Sequence, residues 1–354
     1  MSEPRVDVIV PVHTERRPIA RAVASILDGS AEDIRVNVVC HNTPLAGIAD
    51  ALGSWSDDSR VRLLHLDDGI PSPAGPINVG YAAATAEFTA LLDSDDEYER
   101  GAIDAWLAVQ RRDDADVVIQ PLRHADGRST RTPPTRPGRT RSLDGVRDRL
   151  AYRTRQHGLV RRERFPTLAM TPGLRTGEDV IQGLVLWYSG ARISFAKGSP
   201  AYIIHSENDD RTSTSVKPAA DSLLFLDAVL APDFISELTR TQRESFAVKV
   251  LRTHVMDILG ASLGAGTLGA DLTALSDAVR RILDSSPTAA GILSRREARI
   301  IAELTGTAVP ERLLADLAVL TDYSRPANLL PASNRRLLHR EAMPRFLAAV
   351  AFTR

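Results

Sequence analysis

The feature of this chain that most constrains its fold is the alternation of short β-rich runs with helical patterns near the N-terminus. Runs rich in apolar and β-branched residues predict strands at residues 6–12, 35–40, 61–66 and 88–92. Between the first two runs, Pro18 suits a first helical turn, and an apolar face then continues to Gly29. This order predicts a βαβ unit, and hence an α/β domain with a mostly parallel sheet.

The same patterns predict further elements downstream. Strands are expected at residues 116–120, 192–196 and 201–205, and a helix that starts near Gly177 and ends at Gly190. The first domain is therefore expected to close near residue 215. Residues 216–354 show only helical patterns, including a capping box at Ser294 and Glu297 and a helix that starts near Pro310.

Composition narrows the class of protein. With 354 residues, 43% of them hydrophobic, the chain can form about two globular domains, and a formal net charge of −1 argues against a nucleic-acid partner. Its single cysteine, Cys40, excludes an intrachain disulfide and is expected to be a small buried strand residue. Without a signal peptide or a membrane-span pattern, we expect a cytoplasmic protein that can contact only the inner face of the membrane.

An acidic turn follows the fourth predicted strand, with the sequence Asp93-Ser94-Asp95-Asp96. Ligands bind at the carboxyl ends of strands in open α/β sheets. Carboxylates this close repel one another unless solvent or a cation neutralises them, and a hard divalent ion shared with substrate phosphates would do so. The alternative is a solvated acidic loop or a helix N-terminus.

Five motifs in order make the chain resemble the family 2 glycosyltransferases of the GT-A fold. They are Val6-Asp7-Val8-Ile9-Val10-Pro11 in the first strand, then Asn78-Val79-Gly80, the acidic turn, Leu159-Val160-Arg161-Arg162, and Gly177-Glu178-Asp179. The resemblance covers residues 5 to about 215. It implies a Rossmann-like α/β domain with helices on both faces of the sheet, followed by an α-helical C-terminal region.

The resemblance also implies how the domains divide the work. Residues 1–215 would form the transferase domain, with about 1–100 binding the nucleotide sugar and 101–215 carrying the acceptor side and the catalytic base. Residues 216–354 would form a helical region whose role the sequence does not indicate. A homodimer and a peripheral membrane contact both stay open for this region.

The chemistry that the resemblance implies is an inverting, metal-dependent sugar transfer. Mg²⁺ or Mn²⁺ would neutralise the leaving nucleoside diphosphate, with ligands drawn from Asp93, Asp95, Asp96 and His205. Asp179, beside Glu178, would take the proton from the attacking acceptor hydroxyl. The alternatives are that Glu178 and Asp179 only cap the next helix and that His205 is a partly exposed histidine after a strand.

Contacts to the nucleotide sugar are implied at a further set of positions, which are Pro11, His13, His41, Asn42, Asn78, Asp93, Ser94, Asp95 and Arg211. The chain departs from the family pattern in two places. His41 and Asn42 stand where relatives carry an aspartate for the nucleobase, and Ile77 stands where many carry an arginine for the diphosphate. Arg211 can instead form a surface ion pair with Asp209 or Asp210.

Residues 123–164 contain 13 arginines, and their first half reads as a long loop. Some of these arginines could supply the diphosphate contact that Ile77 cannot make. The same segment could instead bind an anionic acceptor or an anionic membrane surface. For most of these arginines, the sequence favours a solvated basic loop.

The sequence leaves the donor and the acceptor open. A UDP-sugar is the default donor, with dTDP- and GDP-sugars as alternatives, and the acceptor could be a glycan, a lipid-linked sugar or a small molecule. Bacterial cell-envelope polysaccharide synthesis would suit such an enzyme. Two other classes remain, an inactive scaffold of the same fold that binds nucleotide sugar or glycan, and a sugar nucleotidyltransferase, which the glycine-free segment after the first strand disfavours.

Overall fold

The computed structural model describes residues 3–130, 132–153, 155, 158–206, 217–305 and 311–353. The chain divides into two compact units. The first comprises Met1–Thr132, Gly138–Asp144 and Arg153–Arg211, and the second comprises Pro133–Pro137, Gly145–Tyr152 and Thr212–Arg354. Two short pieces of the arginine-rich segment thus belong to the second unit.

The first unit contains the β-structure. Its strands are β1 Val6–Val12, β2 Ile34–His41, β3 Val61–Leu66, β4 Phe88–Leu91, β5 Glu97–Tyr98, β6 Val117–Ile119, β7 Leu122–His124, β8 Ser129–Thr130, β9 Gly158–Arg161, β10 Ile193–Phe195 and β11 Tyr202–Ile204. A seven-stranded sheet has the order β10-β6-β9-β4-β1-β2-β3, and a four-stranded sheet has the order β5-β11-β7-β8. In the larger sheet only β9 runs antiparallel to its neighbours.

Helices cover both faces of the larger sheet, as predicted. They are α1 Ile19–Leu27, α2 Leu45–Leu52, α3 Ala74–Ala83, α4 Ala102–Asp113 and α5 Val180–Tyr188. Because successive side chains of a strand alternate between faces, Val8 and Val10 of β1 pack in one core with residues of α1 and α4. Ile9 points to the other face, into a core that includes Ala74 and Ile77 of α3. The mostly parallel α/β fold is therefore confirmed.

The strand β9 was not predicted, although the Arg161-Arg162 motif begins at its last residue. It begins at Gly158, where a Cβ atom would lie 2.1 Å from the carbonyl oxygen of Val118. Only glycine fits so close to the neighbouring strand β6. Because β9 is short and starts with glycine, it gives a weak strand pattern in the sequence.

The second unit is helical over the residues described. Its helices are α6 Ala219–Leu223, α7 Phe225–Val229, α8 Pro232–Glu237, α9 Arg240–Val250, α10 Met256–Gly264, α11 Leu268–Ser285, α12 Arg295–Leu304, α13 Glu311–Ala318, α14 Pro326–Leu329 and α15 Met343–Phe352. A π-helical turn, Leu251–Val255, joins α9 to α10. The capping box of Ser294 and Glu297 is confirmed at the start of α12, while Pro310 lies outside the described residues.

Among the described residues, no helix is both long enough and apolar enough to cross a membrane.

Candidate active site

The carboxyl ends of four neighbouring parallel strands define one edge of the larger sheet. The strands β3, β2, β1 and β4 lie side by side in that order and run in the same direction. The chain leaves β1 at His13, β2 at Asn42 and β4 at the acidic turn. Since such an edge is where open α/β sheets bind ligands, the fold collects the predicted polar residues at a suitable place.

Asp95 is buried at this edge and is paired with arginine. Its carboxylate forms an ion pair with Arg17, and both side chains are less than 10% exposed. The carbonyl oxygen of Asp95 accepts a hydrogen bond from the guanidinium of Arg21, on α1. These arginines supply positive charge that the sequence analysis did not anticipate, because they lie near the start of α1, far from the acidic turn in sequence.

Asp96 is buried, and its carboxylate binds Tyr202 of β11 and the backbone just after this strand. Its Oδ2 atom accepts a hydrogen bond from the Tyr202 hydroxyl at 2.7 Å, and its Oδ1 atom accepts one from the backbone N–H of His205 at 2.8 Å. Burial, together with the negative charge of Asp93, raises the pKa of Asp96 to about 7. Asp96 is thus a carboxyl whose charge the protein disfavours.

Arg155 joins the acidic turn to the Glu178-Asp179 pair. Its Nη1 atom lies 2.6 and 2.5 Å from the two carboxylate oxygens of Asp93, and its Nη2 atom lies 3.6 Å from Oε1 of Glu178. Burial alone would lower the pKa of Arg155, but the carboxylates of Asp93, Glu178 and Asp179 raise it above its ordinary value. A single cation therefore holds the two acidic motifs on either side of it.

Glu178 and Asp179 precede α5 and are both buried. Gly177 adopts a φ of +75°, a left-handed conformation that favours glycine and turns the chain into the helix. Asp179 occupies the N-cap position, yet its side chain makes no capping hydrogen bond to α5. Burial and the neighbouring Asp179 raise the pKa of Glu178. Simple capping therefore does not explain the Asp179 carboxylate.

The turn after β2 contacts a carboxylate, Asp68, in the segment that follows β3. His41 Nε2 lies 2.9 Å from Oδ1 of Asp68, and the Asn42 side chain accepts hydrogen bonds from the backbone N–H groups of Asp68 and Gly69. The hydrogen bonds from the backbone N–H of Ile70 and from His41 lower the pKa of Asp68. Asp68 was missed in the sequence, although its position just beyond β3 was the available signal.

Asn78 and Gly80 explain the Asn78-Val79-Gly80 motif in terms of packing. The Asn78 amide donates to the Met170 carbonyl at 3.0 Å and accepts from the Met170 N–H at 2.8 Å, so both of its polar groups are used within the protein. A Cβ atom at Gly80 would lie 2.3 Å from the Ile9 side chain. Both residues thus fix α3 against its neighbours.

The sequence itself carries a family signature over this part of the chain. The model of the family described as "Glycosyl transferase family 2" matches residues 7–173, which run from β1 through the acidic turn and β9. Residues 7–173 form a family 2 glycosyltransferase domain. Glu178 and Asp179 lie just beyond the matched residues of this family 2 domain.

Curated relatives match the family 2 domain over part of their length. The chain is 30% identical to glycosyltransferase GlyG of Streptococcus pneumoniae over 116 residues, which make up 32% of this chain and 38% of that protein. It is 36% identical to succinoglycan biosynthesis protein ExoO of Rhizobium meliloti over 138 residues, or 36% of each chain. The match thus spans little more than a third of these two relatives.

Solved structures share the fold over a longer stretch. The first 349 residues of S. aureus TarS, in complex with UDP-GlcNAc, superpose with a TM-score of 0.71 at 14% sequence identity. The superposition covers 90% of this chain and 92% of that one. This likeness shows the fold, a GT-A domain followed by a helical region.

The remaining predicted positions are placed as follows around the family 2 domain. Pro11 is the penultimate residue of β1, and His13 is exposed just after it. Ser94 is buried in the acidic turn, and the imidazole Nε2 of His205 lies 3.2 Å from a carboxylate oxygen of Glu97. Arg211, with Asp209 and Asp210, lies outside the described residues.

The predicted metal ligands stay a prediction. Among the described residues, no group of three or more histidine, cysteine, aspartate or glutamate side chains is arranged to hold a metal ion. The carboxylates nevertheless have the oxygen chemistry that Mg²⁺ and Mn²⁺ prefer. Asp93 and Asp95 each carry an arginine partner, so an ion bound by either carboxylate would compete with a guanidinium.

Proposed function

We propose that this protein is an inverting glycosyltransferase that moves a sugar from a nucleoside-diphosphate sugar to an acceptor hydroxyl. One observation carries the proposal, which is that Arg155 contacts Asp93 of the acidic turn and Glu178 of the pair before α5. The acidic turn, which would bind the donor, and the Glu178-Asp179 pair, which would activate the acceptor, thus lie in one site. The family 2 domain over residues 7–173 supports the reaction class.

The donor diphosphate would be bound at the acidic turn. Asp93 and Asp95 would hold Mg²⁺ or Mn²⁺, with Asp96 and His205 beside them, and the ion would supply Lewis-acid stabilisation of the departing diphosphate. In the structure, Arg17 neutralises the carboxylate of Asp95 and Arg155 neutralises that of Asp93. Released from them, either guanidinium could contact phosphate oxygens and so replace the arginine that Ile77 does not provide.

Asp179 would act as the general base. An acceptor hydroxyl would attack the anomeric carbon, its proton would pass to Asp179, and the bond from that carbon to the diphosphate oxygen would break. Attack opposite the leaving group inverts the anomeric configuration. Glu178, whose pKa is raised by burial and by Asp179, would help to hold Arg155 beside the reacting groups.

The nucleobase would lie on the group formed by His41, Asn42 and Asp68. His41 and Asn42 supply side-chain donors and acceptors at the end of β2, and Asp68 supplies the carboxylate. A UDP-sugar is the default donor, and TarS, which shares the fold, binds UDP-GlcNAc in its crystal structure. A glycan acceptor in polysaccharide synthesis agrees with the likeness to ExoO.

The test is nucleoside diphosphate release from UDP-, dTDP- and GDP-sugars with Mn²⁺, Mg²⁺ or EDTA, in wild type, Asp95→Asn and Asp179→Asn. We expect metal-dependent release, and a loss of about 100-fold or more in kcat for each variant. Asp179→Asn should still bind the donor in calorimetry, since its defect lies in activating the acceptor. Asp126→Asn, at an exposed turn, is the matched control and should match wild type.

Two results would count against the proposal. If the donor binds but no metal or acceptor mixture yields release, the protein is a nucleotide-sugar-binding scaffold of the same fold. If no nucleotide sugar binds at all, the acidic edge has a structural role, with its carboxylates serving only as partners of Arg17 and Arg155.

A further inference from the structure

A cavity of about 460 Å³ lies within the second unit and is rich in arginine. Ten described residues line it, and none of them is acidic. Its polar lining consists of Arg136, Arg147, Arg149, His339, Arg340 and Arg345. A ligand pocket of a few hundred cubic ångströms is an ordinary size for a small molecule or a headgroup.

The carboxylates of Asp148 and Glu341 contact two of the arginines that line this cavity. Asp148, which is fully buried, pairs with Arg136 through two hydrogen bonds of 2.8 and 2.7 Å. Glu341 lies 3.8 Å from Nε of Arg149, and burial raises the pKa of Glu341, which disfavours its negative charge. Neither of these carboxylates lines the cavity itself, whose described lining contains five guanidinium groups.

Arg149 is held in place by backbone oxygens more than by charge. Its side chain is 4% exposed and donates to the carbonyl oxygens of Pro134, at 3.1 Å, and of Arg340. Arg149 also has a φ of +50°, an unusual conformation for a residue with a side chain. A buried cation in a strained conformation is costly, and such costs are concentrated at binding sites. Burial accordingly lowers the pKa of Arg149.

We propose that this cavity of the second unit is a binding site for a phosphate-bearing ligand. A guanidinium group matches the geometry of phosphate oxygens with two parallel hydrogen bonds. Five arginines around one space are better matched to a multiply charged anion than to a ligand with a single carboxylate. The proposal does not rest on the proposed transferase activity, because every residue that lines the cavity belongs to the second unit.

The phosphate could belong to a soluble molecule or to the headgroup of an anionic lipid. Leu338 lines the cavity and is 80% exposed, and Leu337 and Phe352 of the same unit are also exposed. Exposed apolar side chains beside arginines are the composition of a membrane-surface contact. The two sources share one phosphate chemistry, and the experiment separates them.

The experiment measures binding of inorganic pyrophosphate by calorimetry at constant ionic strength, and cosedimentation with vesicles of phosphatidylglycerol and phosphatidylcholine. The test variant is Arg147→Gln/Arg340→Gln, which leaves Arg136 and the buried Arg149 intact. The matched control is Arg312→Gln/Arg325→Gln, which removes two exposed arginines elsewhere in the second unit. Asp95→Asn reports any pyrophosphate bound at the acidic edge instead.

We expect saturable pyrophosphate binding that weakens at least tenfold in the Arg147/Arg340 variant and is unchanged in the control. Any binding that is lost in Asp95→Asn belongs to the acidic edge and is subtracted. Cosedimentation that is lost in the same variant, and is competed by pyrophosphate, would identify a lipid phosphate. Pyrophosphate binding without cosedimentation would identify a soluble ligand. Absence of both kinds of binding in wild type, or equal binding by wild type and the Arg147/Arg340 variant, would overturn the proposal.

Discussion

The acidic edge of the first unit and the arginine-lined cavity of the second unit differ in the charge of the side chains that form them. At the edge, Asp93 and Asp95 each have an arginine within ion-pair distance. In the cavity, five arginines line the space, and Asp148 and Glu341, which contact Arg136 and Arg149, are not among the lining residues. The first region is a site with its own counter-ions, and the second leaves positive charge for a ligand to neutralise.

This difference shows that the number of charged residues in a segment says little about its role. The 13 arginines of residues 123–164 include Arg155, which neutralises the acidic turn, and Arg149, which lines the cavity. What separates them is the nearest oxygen, a carboxylate for Arg155 and backbone carbonyls for Arg149. Three variants test this contrast, from the largest expected effect to the smallest.

Arg155→Met should destabilise the protein by about 2–3 kcal/mol, because Asp93 and Glu178 would lose the cation between them. The expected loss is smaller than for a fully buried ion pair because Asp93 is partly exposed, which weakens its interaction with Arg155. Arg155→Lys should recover part of the loss. Urea unfolding checks the effect, with Arg128→Met, an exposed pair with Asp126, as a control expected to change stability by less than about 0.5 kcal/mol. Equal effects of the Arg155 and Arg128 changes would refute internal neutralisation.

Asp96→Asn should change how stability depends on pH. The pKa of Asp96 in the folded protein, about 7, exceeds its ordinary value of 3.8, so the folded state retains a proton that the unfolded state has lost. Protonated Asp96 therefore stabilises the folded state. Its contribution to the free energy of unfolding is complete below pH 4 and disappears as the pH rises to 7, by at most about 1.4 kcal/mol per pH unit. Unfolding measured in EDTA should therefore show that wild type loses stability relative to the variant over this range. Parallel pH profiles would contradict the expectation.

Arg340→Gln should have the smallest effect, a change in stability within about 0.5 kcal/mol, since it removes one cation from a positively charged region. Burial lowers the pKa of His339, and Arg340 and Arg336 lower it further. The variant should therefore raise the pKa of His339, which NMR titration of labelled histidine can follow. An unchanged His339 pKa would mean that Arg340 is screened from the cavity.

The sequence predicted the elements whose pattern is local. The strands β1 and β3 have the predicted bounds, and α1 and α5 lie where the apolar periodicity placed them. The capping box at α12 was also predicted correctly, because its two residues are three positions apart. Local spacing is the information that a single sequence carries most reliably.

Partners that are distant in the chain could not be predicted. Arg17 meets Asp95 across 78 positions, and Asp68 meets His41 across 27, so no sequence window contains either pair. The short strand β9 was missed because it has only four residues, of which the first is glycine and the last is arginine. The cavity was missed because its lining comes from two segments almost 200 residues apart.

Cys40, the only cysteine, can serve as a probe of local unfolding of the sheet. It is fully buried in β2, and burial raises the pKa of its thiol to about 11, so a thiol reagent can react only when this strand is transiently released. The rate of labelling therefore measures local unfolding without any engineered probe. Because His41 is the next residue, a nucleotide bound there should slow the labelling of Cys40. Labelling rates would thus provide a binding assay that requires no turnover.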